Sequence, residues 1–118
     1  MHEYPLVKRI IQIAEKHAVE KGADRVTKVN LVVGDYSGIV ADCILLYFDI
    51  VSNGTICESS VLDIERVKPL LRCKKCGSHF ERKPFNFNCN SERCDGEGEP
   101  TEIGREFFIQ SIEVEYTH

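Results

Sequence analysis

Four cysteines stand in two pairs, Cys73/Cys76 and Cys89/Cys94, with two residues inside the first pair, twelve between the pairs and four inside the second. Two short loops can bring four thiolates so spaced around one ion. An all-thiolate tetrahedron selects zinc, or iron in a rubredoxin-like setting, because soft sulfur donors suit those ions. Gly77, directly after the second sulfur, permits the turn that aims backbone N–H groups at the thiolates, as in half of a zinc knuckle. A disulfide framework would instead need an oxidising compartment. The N-terminus lacks the basic stretch and unbroken apolar run of a secretory signal, and no segment approaches the roughly 18 apolar residues of a membrane span. A soluble cytoplasmic protein with reduced thiols and a zinc ribbon is expected. Cys43 and Cys57 lie in or near apolar segments and are expected to be buried and inert.

A second set of donors lies at the other end of the chain. In Met1-His2-Glu3 the α-amine, the His2 amide once deprotonated and the His2 imidazole can reach one ion through small chelate rings. Nitrogen donors in a plane suit Ni(II) or Cu(II), and the Glu3 amide or carboxylate could complete the square. Such a site would be exposed and labile, which suits handing a metal on. Any terminus with histidine second carries the same donors, so these residues alone leave open whether His2 is a ligand or an exposed end. His17 is expected to be a partly buried helix residue and His79 a solvated ribbon residue; His118, the last residue, carries no reading.

These groups need a scaffold. Pro5 suits a first helical turn, and Leu6, Ile10, Ile13, Ala14 and His17 recur at helical steps before Gly22, predicting an amphipathic helix directly behind His2. Val26 to Val33 alternates, with Val29, Leu31 and Val33 on one side and Lys28 and Asn30 on the other, and reads as a strand. A polar turn at Tyr36-Ser37-Gly38 leads to a second helix over Ala41 to Val51, its apolar face formed by Ile44, Leu45, Phe48 and Val51. Ser60 to Lys68 alternates Leu62 and Ile64 against Asp63 and Glu65, a further strand that ends before Pro69. Arg105 to Tyr116 is a last strand, with Phe108, Ile112 and Val114 on one face. It is too apolar for a tail and returns most simply to the first domain. The cysteine module then becomes an insertion in a small α/β unit: residues 1–68 and 104–118 form one domain and 69–103 the ribbon. Gly96-Glu97-Gly98-Glu99-Pro100 reads as a short flexible loop.

At 118 residues and 42% hydrophobic content the chain can bury one modest core, and a metal can replace the missing core of a small appended module. Net charge is −4. Within 69–103, Arg72, Lys74, Lys75, Arg82, Lys83 and Arg93 balance Glu81, Glu92, Asp95, Glu97, Glu99 and Glu102, so the electrostatic footprint of nucleic-acid binding is missing. Neither nucleic acid nor membrane is expected as a partner. An enzyme is not expected: a four-thiolate zinc site has no open position, and neither a nucleophile-base set nor a phosphate-binding glycine motif is present. Asp35, Asp42 and Asp49 need no catalytic explanation.

Taken together, Met1-His2-Glu3-Tyr4 before a helix, the Gly34-Asp35-Tyr36-Ser37-Gly38 turn, one inserted four-cysteine site and the closing Ser111-Ile112-Glu113-Val114-Glu115 resemble the HypA/HybF family of hydrogenase nickel-incorporation accessory proteins. The resemblance covers essentially the whole chain. It implies an α+β fold, with a small mixed three-stranded sheet and two helices for nickel and an inserted four-cysteine zinc ribbon. It further implies Ni(II) as labile cargo on His2 with the backbone of Met1 and Glu3, and structural Zn(II) on Cys73, Cys76, Cys89 and Cys94. The implied role is a metallochaperone that works with a nickel-handling GTPase and delivers Ni(II) to the [NiFe]-hydrogenase large subunit, in some organisms also serving urease, as a monomer or homodimer. Three departures stand out: four residues between Cys89 and Cys94 where two is commoner, Asp35-Tyr36 in place of Glu-Leu, and Asp95 where a histidine follows the last cysteine. The competing reading is a zinc-ribbon protein-interaction or nucleic-acid-binding module without nickel function.

Overall fold

The computed structural model describes residues 3–81, 88, 89, 94 and 96–117. Helix α1 spans Glu3–Glu20, with Glu3 complementing the positive end of the helix dipole and Pro5 in the first turn, where an N–H has no intrahelical acceptor. Gly22 stops it with φ +70°, while the N–H groups of Gly22 and Ala23 return to the carbonyls of Val19 and Ala18 at 3.0 and 2.9 Å. Only a residue free to adopt the left-handed region closes the last turn this way. The buried stripe is Val7, Ile10, Ile11, Ala14 and Ala18. The expected stripe shares Ile10 and Ala14 with it, but Leu6 and Ile13 are only half-buried and His17 is exposed. Both sets satisfy helical periodicity; packing against α2 and the sheet selects the side.

The central strand is β1, Arg25–Gly34. Helix α2, Ala41–Val51, carries the chain back to β2, Val61–Val67, which pairs with β1 in parallel; β6, Phe107–Glu115, closes the other side in antiparallel. The mixed sheet has the order β2-β1-β6. Its core gathers Val26, Val29, Leu31 and Val33 of β1, Ile44 and Phe48 of α2, Cys57 and the α1 stripe, with Leu62 and Ile64 packed against it. Leu45, expected on the buried face of α2, is 40% exposed, and Ile44 with Phe48 carries the contact. On β6 the packed residues are Phe107, Ile109, Ile112 and Val114, whereas Phe108 is 49% exposed. The register between β1 and β6 shifts at Asn30/Leu31, skipping Gln110, and this bulge inverts the face on which odd and even positions point. Strict alternation across the whole strand therefore put Phe108 on the wrong side.

A second sheet comes from the chain between β2 and β6. Strands β3 (Leu70–Cys73), β4 (His79–Glu81) and β5 (Gly98–Pro100) pair antiparallel in the order β4-β3-β5. The stretch expected to be a flexible loop thus forms β5, and Glu97 bridges Asn88. Gly98 explains the close packing, since a Cβ there would stand 2.6 Å from the Phe80 ring. The two sheets meet at the tip of β1. There the N–H groups of Gly34, Asp35 and Tyr36 donate to the carbonyls of Glu106, Val67 and Gly104 at 2.7, 2.9 and 2.7 Å. A Cβ on Gly34 would run into the Gly104 carbonyl.

Candidate metal centre

Cys73 ends β3, and the chain turns at once. Gly77 donates to the Cys73 carbonyl at 3.0 Å with φ +76°, and Cys73 N–H donates to the Ser78 carbonyl at 2.9 Å. The turn points the Cys76 N–H at Cys73 Sγ, 3.4 Å away. The second pair is brought over by the residues just before β5, where Cys89 N–H donates to the Gly96 carbonyl at 2.8 Å and Lys74 N–H to the Glu97 carbonyl at 3.0 Å. As a result the four sulfurs of Cys73, Cys76, Cys89 and Cys94 lie within 4.8 Å of one another.

The distances match a metal tetrahedron. Cys73 Sγ is 3.5 Å from Cys94 Sγ, and Cys76 Sγ is 3.7 Å from Cys89 Sγ. A tetrahedron with metal–sulfur bonds of about 2.3 Å has sulfur–sulfur edges of about 3.8 Å. Cys73 and Cys89 are buried, Cys94 half-buried and Cys76 exposed, so one corner faces water. The electrostatics also suit a cation. The N–H of Cys76 holds the Cys73 thiol below its ordinary value. Ser78, through its hydroxyl and its backbone, lowers Cys76 to about 6. At Cys94 the Gly96 N–H pulls downward but is outweighed by the neighbouring thiols and by burial, which push that thiol up to about 12. Cys73 and Cys76 are thus readied for ionisation while Cys94 holds its proton, and a divalent cation would displace it. The donor set fits zinc, and four protein ligands leave no position at which water could be activated.

The remaining sequence candidates are dispersed. Met1 and His2 lie outside the described residues, as does His118; Glu3 opens α1. His17 sits 3.9 Å from Glu20 on exposed helix surface. His79 lies exposed on β4 opposite Arg72 and is outside the four-sulfur group. Asp42 pairs with Arg66 at 3.5 Å, and both line a shallow depression with Asp35. Cys57 is buried as expected, and burial pushes its thiol up to about 11; Cys43 is only half-buried. Two residues that shape the cluster went unnoticed in the sequence: Ser78, whose Oγ lies 3.3 Å from Cys76 Sγ, and Gly96, whose missing Cβ makes room for Cys73 Sγ. The Cys76-Gly77-Ser78 turn was the available clue for the first; nothing local signals the second.

The model of a family described as hydrogenase/urease nickel incorporation, metallochaperone, hypA, matches residues 1–114. The chain belongs to the HypA family. Curated relatives named hydrogenase maturation factor HypA include one from Caldanaerobacter subterraneus subsp. tengcongensis, 35% identical over 98% of this chain and 100% of the relative. Another, from Nostoc punctiforme, is 38% identical over 98% of this chain and 96% of the relative. Among solved structures, the solution structure of the Ni metallochaperone HypA from Helicobacter pylori superposes with a TM-score of 0.64 at 27% identity, covering 98% of this chain and 99% of that one. A second, titled solution structure of HypA protein, gives 0.70 at 27% identity, covering 97% and 96%. The HypA assignment agrees with the fold described above: two helices, two three-stranded sheets and a four-cysteine cluster. No helix among the described residues of this HypA-family chain is long and apolar enough to cross a membrane.

Proposed function

We propose that this chain is a cytoplasmic nickel metallochaperone. It takes up Ni(II) at Met1-His2-Glu3 and passes it on during [NiFe]-hydrogenase maturation, with urease maturation as a second outlet. The observation that carries this reading is the family match over residues 1–114, which includes the terminal donors together with the cysteines. The start of α1 at Glu3 supports it chemically. The first four N–H groups of a helix have no intrahelical acceptor, so drawing the His2 or Glu3 amide into a square of nitrogen donors sacrifices no helix hydrogen bond. The partners on this reading are a nickel-handling GTPase and the hydrogenase large subunit.

Zn(II) is held by Cys73, Cys76, Cys89 and Cys94 and supplies structure. Residues 69–103 form the ribbon domain it staples, and 1–68 with 104–118 form the nickel domain. The small second core supports this, because Phe80 and two cysteines are its only buried members among the described residues. A module so thin depends on its metal to fold.

The test is a calorimetric titration of Ni(II) into zinc-loaded protein with an untagged N-terminus, beside His2→Ala. One nickel site that disappears in the variant is expected. Equal binding by both proteins, or by neither, would refute the terminal site. Chelation of zinc is expected to remove amide-exchange protection from β3 and leave β1 protected.

A further inference from the structure

The donors of the proposed nickel site reach the rest of the protein through the first turn of α1, and an aromatic contact joins that turn to α2. Tyr4, two residues beyond His2, meets Tyr47 of α2 edge to face, with ring centroids 5.8 Å apart and planes at 87°. Tyr47 is well founded: it packs against the main core and precedes Phe48, one of the largest fully buried side chains. Tyr4 is 42% exposed, so the core gives it little reason to be aromatic.

We infer that Tyr4 and Tyr47 are positioning residues for nickel, holding the first turn of α1 against α2 so that the helix end from which the proposed donors extend is kept in one place. The inference rests on the terminal nickel reading above. A helix end without tertiary contacts frays, and a frayed turn would let the donors wander through conformations that cannot close on one ion. An edge-to-face aromatic pair biases such an equilibrium roughly two- to twelvefold toward the docked form. Ordering the donors in advance lowers the entropy lost on metal capture and slows release. Three residues of chain reach at most about 11 Å, so an ion held at Met1 and His2 lies close to the Tyr4 ring. The chain has no tryptophan and four tyrosines, of which Tyr4 and Tyr47 form this pair, so part of its intrinsic emission comes from this neighbourhood.

The experiment is nickel titration and stopped-flow release on the zinc-loaded full chain with an untagged N-terminus, read by calorimetry and tyrosine emission. Tyr47→Ala and Tyr4→Ala are expected to release nickel roughly two- to twelvefold faster with zinc content unchanged, whereas Tyr4→Phe, which keeps the ring, releases nickel as the parent does. Nickel quenching of tyrosine emission should shrink in Tyr4→Phe and persist in Tyr116→Phe. Should Tyr47→Ala fail to fold, the exposed Tyr4→Ala carries the test. Parent-like release in Tyr4→Ala, while His2→Ala loses the site, would overturn the positioning role and leave the nickel reading standing. Parent-like nickel binding in His2→Ala would overturn the nickel reading and this inference with it.

Discussion

Replacing Gly96 by alanine should loosen the metal centre without touching a ligand. Gly96 is buried, and a Cβ built on it falls well inside van der Waals contact distance of Cys73 Sγ, with Lys75 Cβ and Cγ at 3.0 and 3.3 Å. The end of the lysine can swing away. The sulfur cannot, because it receives the Cys76 N–H at 3.4 Å and faces Cys94 Sγ at 3.5 Å. Ordinary non-bonded separation is about 3.5–4.0 Å, so the methyl must displace the sulfur, or the strand bearing residue 96, by about 1 Å. Protein metal sites hold their bond lengths to within about 0.2 Å, and disturbing the groups that support a ligand typically weakens binding about 10–100-fold. That range corresponds to about 1.4–2.8 kcal/mol. The assay is competition for zinc against a chromophoric chelator under reducing, anaerobic conditions, with Gly22→Ala as control. Gly22 has open space around its Cβ position and differs only in its φ of +70°, so that variant should lose some helix stability and keep its zinc affinity. If Gly96→Ala held zinc as tightly as the parent, the steric account of Gly96 would be wrong.

Phe48→Ala should cost about 3–5 kcal/mol, because the ring is fully buried between α1 and the sheet. Urea unfolding of the zinc-loaded protein measures it, and a loss below about 1 kcal/mol would contradict the core described. Stability should also fall in alkali through Cys57, whose thiol is raised from 9.0 to about 11, chiefly by burial. The folded chain keeps this proton when the unfolded chain gives it up, so the contribution is intact below about 9 and is lost as pH rises through about 11. A Cys57→Ala variant lacking this alkaline decline is the check, and an unchanged pH profile would discount the thiol.

What could be read in the sequence was whatever depends on near neighbours. The bounds of α2, Ala41–Val51, follow from composition between a turn and Asn53-Gly54, and the four thiolates follow from spacing alone. Faces were harder. The stripe of α1 was displaced toward Leu6 and Ile13 because two stripes on one helix meet the same periodicity, and only α2 and the sheet decide between them. Phe108 was misplaced by a bulge that β6 acquires from pairing with β1, some eighty positions away in the chain. The stretch Gly96 to Pro100 has poor strand propensity and becomes β5 only because β3 lies beside it, so tertiary pairing overrode the local preference. The same distance effect hid Gly96, whose demand for space comes from Cys73.

The placement of the second sheet has a consequence for how such a chain can change over time. Val67 stands opposite Gly34 on one side of β1, and Phe107 stands opposite Val33 on the other. The chain therefore departs and returns through a doorway two strand spacings wide, on the order of 10 Å, which three or four extended residues would span. The host sheet is indifferent to how much chain lies beyond such an opening. The frame of the doorway has no such latitude: Gly34 lies against Gly104, and Gly104 against Pro69, each without room for one more carbon. The opening sets no length for the chain beyond it, whereas its frame admits no added carbon.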